Sequence, residues 1–277
     1  MLQYDVGGEL GFGSLARPVA AQQEAPVVTA DVVANLRREA SIGKRDSQYF
    51  LGVLNFYGEG VAKDVPAALS WFRKAAESGH VEAMVNLGLV LSGALGGVDD
   101  TDATADVAGA AAWLNRAANG GHVDAQWMLG LLYYEGRLGA GRYADAYAMF
   151  KAAAADGSHK GHFYLGLVLE YGRGVQQNFF SAAEHYRVAA EADDVEAMYH
   201  LGLMYAYGRG HAQDFARAIL LFEKGSKFDH GPSCLMLGTM NVYGNGMVID
   251  YQVALMWFKR ALATADPRVS DAAQKVH

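Results

Sequence analysis

A Leu-Gly pair recurs six times along this chain, at Leu51-Gly52, Leu87-Gly88, Leu129-Gly130, Leu165-Gly166, Leu201-Gly202 and Leu237-Gly238. The glycines stand 36, 42, 36, 36 and 36 residues apart. A period of this size marks a repeat architecture, in which one supersecondary unit is copied and its copies bury each other's apolar faces. Other residues keep phase with the pair. Gly58 and Gly60, Gly172 and Gly174, Gly208 and Gly210, and Gly244 and Gly246 follow each pair's glycine by six and eight residues. Nineteen residues past it stand Trp71 and Trp257, each followed by phenylalanine, Phe72 and Phe258. Phe150, Tyr186 and Phe222 keep that second aromatic, and Trp113 takes the tryptophan place once six inserted residues in repeat two are allowed.

Each unit reads as two helices. A small residue (Ala83, Ala125 or Ala197), the leucine, the glycine and the third residue beyond it fall at i, i+4, i+5 and i+8, which is one helical face. Glycine inside a helix costs about 1 kcal/mol against alanine, so its recurrence calls for close approach of the second helix. Gly-x-Gly then ends the first helix, because glycine accepts the left-handed conformation. The second helix carries Ala-x-x-Trp-Phe-x-x-Ala-Ala, as from Ala68 to Ala76, and Gly43, Gly79, Gly121 or Gly157 closes a unit. About a dozen helices are expected.

With Leu201-Gly-Leu-Met-Tyr-Ala-Tyr-Gly-Arg-Gly210, followed by Ala218 and Phe222, the pattern resembles the Sel-1-like repeat family, a relative of the tetratricopeptide repeats. The resemblance covers roughly residues 31 to 265. It implies an all-α fold, a right-handed α-solenoid of stacked helix-turn-helix repeats of about 36 residues. Residues 1–30 are expected to form a flexible arm, and residues 31–43 the second helix of a partial, capping unit. Repeat two lacks Gly-x-Gly and carries an insertion near residues 96–106, and repeat three has Leu138 in place of the second glycine. Residues 266–277 read as a divergent cap or a truncated seventh repeat, because the next glycine falls due at Gln274.

Composition narrows the function. A net charge of −7 disfavours non-specific binding to nucleic acid. The single cysteine, Cys234, allows neither an internal disulfide nor a cysteine zinc cluster. It also argues against the β-lactam binding linked to some cysteine-rich bacterial relatives. The longest apolar stretch, Leu87 to Val98, holds Ser92 and four glycines, too short and too broken to span a bilayer. No secretory or transit segment is visible in the first 30 residues. Nothing names a compartment or an oligomeric state.

Catalysis finds little support. His80, His122 and His230 share one slot between units, eight residues before their glycines, which implies a local structural job. His159 and His162 can meet on one helix face, but no third ligand stands in phase, so no metal and no cofactor is expected. His185, in the tryptophan slot, is expected to act as a packed aromatic. Cys234 with His200 has the residue types of a nucleophile and its base, yet an inert, semi-buried thiol is the expected state. Gly11-Phe-Gly13-Ser-Leu-Ala16 lacks the βαβ context of a dinucleotide fingerprint. The acidic run Asp99, Asp100, Asp102 and Asp106 lacks the glycine and final glutamate of a calcium loop.

Binding finds more. A helical wheel points the residues three and two before the glycine, and those one, four and five after it, away from the packing face. The −3 position holds Tyr49, Val85, Trp127, Phe163, Tyr199 and Leu235; the +5 position holds Tyr57, Gly93, Glu135, Tyr171, Tyr207 and Tyr243. First helices line the concave surface in this repeat class, so Tyr49, Trp127, Phe163, Tyr199, His200, Tyr171, Tyr207 and Tyr243 are the expected groove for a peptide or helix. The +5 tyrosines have a competing expectation, packing on the next unit's glycine turn.

The expected function is therefore a non-enzymatic scaffold or adaptor for protein or peptide partners. Phe222-Glu-Lys-Gly-Ser226, Leu237-Gly-Thr-Met240, Tyr243-Gly-Asn-Gly246, Asp250-Tyr251 and Ala254-Leu-Met-Trp-Phe258 resemble the Sel-1 adaptors of endoplasmic-reticulum-associated degradation, implying a ubiquitin-ligase complex. The alternatives are a structural or assembly subunit of a large complex, for example mitochondrial, and more remotely a hydrolase on a solenoid scaffold.

Overall fold

The computed structural model describes residues 28–93 and 106–274. The glycine string at residues 11–16, most of the N-terminal arm and nearly all of the repeat-two insertion lie outside them. Fourteen α-helices and no strand are found among the described residues. The chain divides into two compact units, Met1–Ala140 and Gly141–His277. The first holds α1 (Ala30–Ser41), α2 (Arg45–Tyr57), α3 (Val65–Glu77), α4 (Val81–Leu91), α5 (Val107–Asn119) and α6 (Val123–Tyr134). The second holds α7 (Tyr143–Ala155), α8 (His159–Tyr171), α9 (Phe179–Glu191), α10 (Val195–Tyr207), α11 (Phe215–Ser226), α12 (Gly231–Tyr243), α13 (Tyr251–Ala263) and α14 (Pro267–Gln274). Within each unit, every helix packs on the one before it and the one after.

The helix boundaries follow from capping. Ahead of a first helix, His80 and His122 accept the N–H of Ala83 and Ala125 on Nδ1, at 3.3 and 3.4 Å. Ser158 and Asp194 do the same for Gly161 and Ala197 at 3.0 Å. These side chains satisfy backbone donors that a helix start leaves open, which is the local job implied for the histidine slot at His80 and His122; His230 stands at the N-cap of α12 without a side-chain cap bond. At the other end, Tyr57, Tyr171, Tyr207 and Tyr243 are the last helical residues, followed by a left-handed glycine with φ from +64° to +78°. The chain then turns back. Asp64, Asn178, Asp214 and Asp250 donate to Asn55, Leu169, Tyr205 and Asn241 carbonyls, and their side chains cap α3, α9, α11 and α13.

The Leu-Gly glycine does what its recurrence calls for. A Cβ on Gly166 would lie 2.8 Å from the Tyr186 ring, and one on Gly202 would lie 2.6 Å from Phe222. Both rings are fully buried, as are Phe72 and Phe150. Closing a unit does not always require glycine. Asp193, Asp229 and Ala265 take the slot of Gly157 with φ of 60°, 54° and 55°.

Candidate protein-docking surface

The −3 residues do not face outward as the helical wheel expects. Tyr49 and Trp127 are 5% exposed and Phe163 2%. For Tyr49 and Phe163 the reason is that first helices α2, α4, α8, α10 and α12 each lie between two second helices. Such a helix has a buried arc far wider than one stripe. Phe163 meets Tyr164, Tyr186 and His200 at ring distances of 5.0, 6.0 and 5.9 Å. Tyr49 stacks on His80, the cap of the next unit, at 4.3 Å. Trp127 donates from Nε1 to Asp124 at 2.9 Å. Tyr199 is half-buried and lies 5.4 Å from the ring of His230. Tyr49, Phe163 and Tyr199 thus join one repeat to the next.

Three of the four +5 tyrosines are left outside, while Tyr57 is half-buried. Tyr171, Tyr207 and Tyr243 are 43%, 60% and 69% exposed, so they do not pack away on the following glycine turns. Each sits on a helix end whose glycine cap sets its direction. Arg173 lies over the Tyr171 ring at 5.8 Å, and Arg209 over Tyr207 at 5.5 Å. Beneath them is a buried carboxylate, Glu170. Its Oε2 accepts from Tyr186 Oη at 2.8 Å and from His200 Nδ1 at 3.0 Å, and Arg209 Nη1 lies 3.8 Å from Oε1. Burial pushes the Glu170 pKa up, but His200, Tyr186 and Arg209 outweigh it and hold the group below the ordinary carboxylate value. His200 also stacks on Tyr186 at 5.1 Å. A rigid, charged floor thus underlies an aromatic rim in repeats four and five.

Sequence reasoning missed Glu170 and a second cluster. Glu196 is bonded to His230 at 3.3 Å and receives both guanidinium nitrogens of Arg268 at 2.9 Å. His230 Nδ1 lies 2.7 Å from Ser233 Oγ. Ser233, His230 and Glu196 form the string of a hydrolase relay, but Ser233 is fully buried, and a Cβ on Gly225 would lie 2.6 Å from its Oγ. An acyl group has no access there; the cluster clamps α14 to α10 and α12. Cys234 is also fully buried, and burial pushes its thiol up, the opposite of an activated nucleophile. Among the described residues no group of three or more His, Cys, Asp or Glu side chains could hold a metal ion, and no helix is long and apolar enough to cross a membrane.

His162 turns from His159 to His185, Nδ1 to Nδ1 at 3.0 Å with ring centroids 5.2 Å apart, so His185 is a hydrogen-bonding partner as well as a packed ring. Burial pushes both rings below the ordinary histidine value; His159 on α8 adds to this for His162, while Glu184 on α9 opposes it for His185. Lys151 and Tyr147 face the pair from α7. The unfolded chain takes up protons near the ordinary value of about 6.5, where the folded pair refuses them. More protons bind the unfolded state, so stability falls as pH drops through about 6.5. Thermal unfolding followed from pH 7.5 to 5 is expected to show this decline, and His162→Met with His185→Trp is expected to make it shallower, the remainder coming in part from His80, which burial also holds below the ordinary histidine value.

The Sel1 repeat family model matches residues 45–80, 81–122, 123–158, 159–194, 195–227 and 231–263. The chain belongs to the Sel1 repeat family. Two crystal structures share its architecture. One is c5321, described as a protective antigen of uropathogenic Escherichia coli with an SLR fold, at 29% identity and a TM-score of 0.75 over 86% of this chain. The chain spans 50% of that antigen's length. The other is a Sel1 repeat protein from Oxalobacter formigenes, at 26% identity and a TM-score of 0.73, covering 83% of this chain and 90% of that one. No curated protein matched. Sel1 repeats generally serve as protein–protein interaction scaffolds.

Proposed function

We propose that this Sel1 repeat protein is a non-enzymatic docking scaffold whose contact surface is built on Tyr171, Tyr207 and Tyr243, with Arg173, Arg209 and His200 beside them. The observation that carries the reading is the exposure of three tyrosines at one repeat position. Tyrosine and arginine are the side chains that anchor interfaces most often, because they combine large rigid area with hydrogen bonding or charge. Phe163 and Tyr199, in the same unit, support the surface as repeat-to-repeat packing. A ubiquitin-ligase complex and a large assembly are the two partner classes that the resemblance implies.

Affinity capture from native cells with crosslinking mass spectrometry tests the reading. A triple Tyr171→Ala, Tyr207→Ala, Tyr243→Ala variant is expected to retain at least about tenfold less partner, as expected for loss of interface anchors. Its unfolding temperature is expected to stay within about 5 °C of the parent, since exposed substitutions cost about 0.5 kcal/mol or less each. Undiminished capture by the variant, or no stoichiometric partner for the parent, overturns the proposal.

A further inference from the structure

Repeat six leaves open a row of side chains that the other repeats keep covered. In repeats three, four and five the second helix begins with Tyr143, Phe179 or Phe215, each half-buried. The next unit's glycine turn presses on it: a Cβ on Gly174, Gly210 or Gly246 would lie 2.3, 2.6 or 2.4 Å from those residues. Tyr251 holds the same place in α13 and is 67% exposed. Leu255 is 48% exposed, whereas its counterpart Ile219 is half-buried against the cluster of Phe222. Phe258, seated on Gly238, is half-buried, while its counterparts Phe72, Phe150, Tyr186 and Phe222 are fully buried. Leu262 is 55% exposed and stands where Ala76, Ala154, Ala190 and Ser226 are buried. Small residues there let the next first helix come close, as where a Cβ on Gly161 would lie 2.6 Å from the backbone nitrogen of Ala154. Leucine is out of keeping with that tight stacking and gives the row a fourth apolar side chain. The helix that follows, α14, closes over Ala261 through Val269 and leaves the row exposed. An apolar patch of this kind marks an interface.

The row is its own complement. Tyr251, Leu255, Phe258 and Leu262 are spaced four, three and four residues apart, the spacing of a seam between two helices. Turned about a two-fold axis onto a second copy, the row meets itself, Tyr251 against the partner's Leu262 and Leu255 against the partner's Phe258. Charge selects the same arrangement. Asp250 caps the start of α13, and Lys259 stands exposed beside the row near its end. Antiparallel helices bring the acidic start of one toward the basic end of the other, and parallel helices bring like toward like.

We propose that α13 is the contact of a homodimer, in which two copies of this chain lay these rows together antiparallel about a two-fold axis. A patch meeting itself across such an axis is the commonest way that soluble chains pair. None of the tyrosine and arginine residues of the docking surface lies in the row, so either reading can fail alone.

Sedimentation velocity on the full chain tests the proposal. Between about 1 and about 100 μM a monomer is expected to pass into a species of twice its mass, the range usual for a small interface. Leu255→Glu sets a charge against the partner's Phe258 and is expected to weaken the dimer at least about hundredfold, as for a buried charge without a counter-ion. Met256→Glu, at an exposed position one residue off the row, is expected to dimerise like the parent. Mild oxidation reads the register. Tyr251→Cys and Leu262→Cys proteins are expected to crosslink when mixed and neither alone, because identical positions lie at opposite ends of the pair; Cys234 is buried and takes no part. Should Leu255→Glu fail to fold, the crosslink decides. A monomer at every concentration, which would leave the row to a different protein, overturns the proposal. So does a Leu255→Glu dimer as strong as the parent's, or crosslinking by Leu262→Cys alone.

Discussion

Gly210→Val is expected to lower the unfolding temperature of the second unit by about 10 °C. The residue sits at φ +77°, and a Cβ there would lie 2.6 Å from the backbone carbon and oxygen of Phe179 and 2.8 Å from the nitrogen of Phe180. The left-handed conformation costs a residue with a Cβ about 1–2 kcal/mol. The clash adds about 1–3 kcal/mol, because the obstacle is backbone at the start of α9 and cannot swing aside. A total near 3–4 kcal/mol in a unit of this size converts to roughly 10 °C. Gly157→Val is the control. It has φ +86° but nothing within 4 Å of the new Cβ, so only the conformational cost remains. Equal shifts for the two variants would show that repeat five does not press its turn onto repeat four.

Phe163→Ala is expected to destabilise the second unit by about 3–5 kcal/mol, the range for emptying a buried aromatic site. The ring is 2% exposed and touches aromatics from both its own repeat and the next. Hydrogen exchange is expected to report the loss in α8 and α10 together, because repeats hold each other up through such contacts. Tyr171→Ala, eight residues along the same helix, is expected to leave unfolding almost unchanged. If Phe163→Ala instead unfolded like the parent while losing its partner, the outward-facing expectation of the helical wheel would be restored, and the repeat-to-repeat role withdrawn.

The contrast between these two residues shows where sequence periodicity runs out. Phe163 and Tyr171 are both aromatic, both in phase with the Leu-Gly pair and both assigned by the wheel to the open face. A wheel of one helix assumes one buried side. Here α8 is packed by α7 as well as α9, so its middle is enclosed all round, and only its last turn, where the glycine cap diverts the chain, stays open. The wheel could not contain that second neighbour.

What the residues by themselves determined was the local grammar: two helices per unit, the glycine where the second helix comes close, the left-handed turn, and a local structural job for the histidine slot. Each rests on contacts within a unit or at one junction, and each is written again every 36 residues in most repeats. Tertiary structure alone decided the polar pairings. Glu170 meets His200 across 30 positions, Glu196 meets Arg268 across 72, and His162 chooses His185 over His159. None of these is repeated, so no period announces it. Their partners are set by which helix faces stack, and that stacking is a property of packed volume and buried area and not of any single helix.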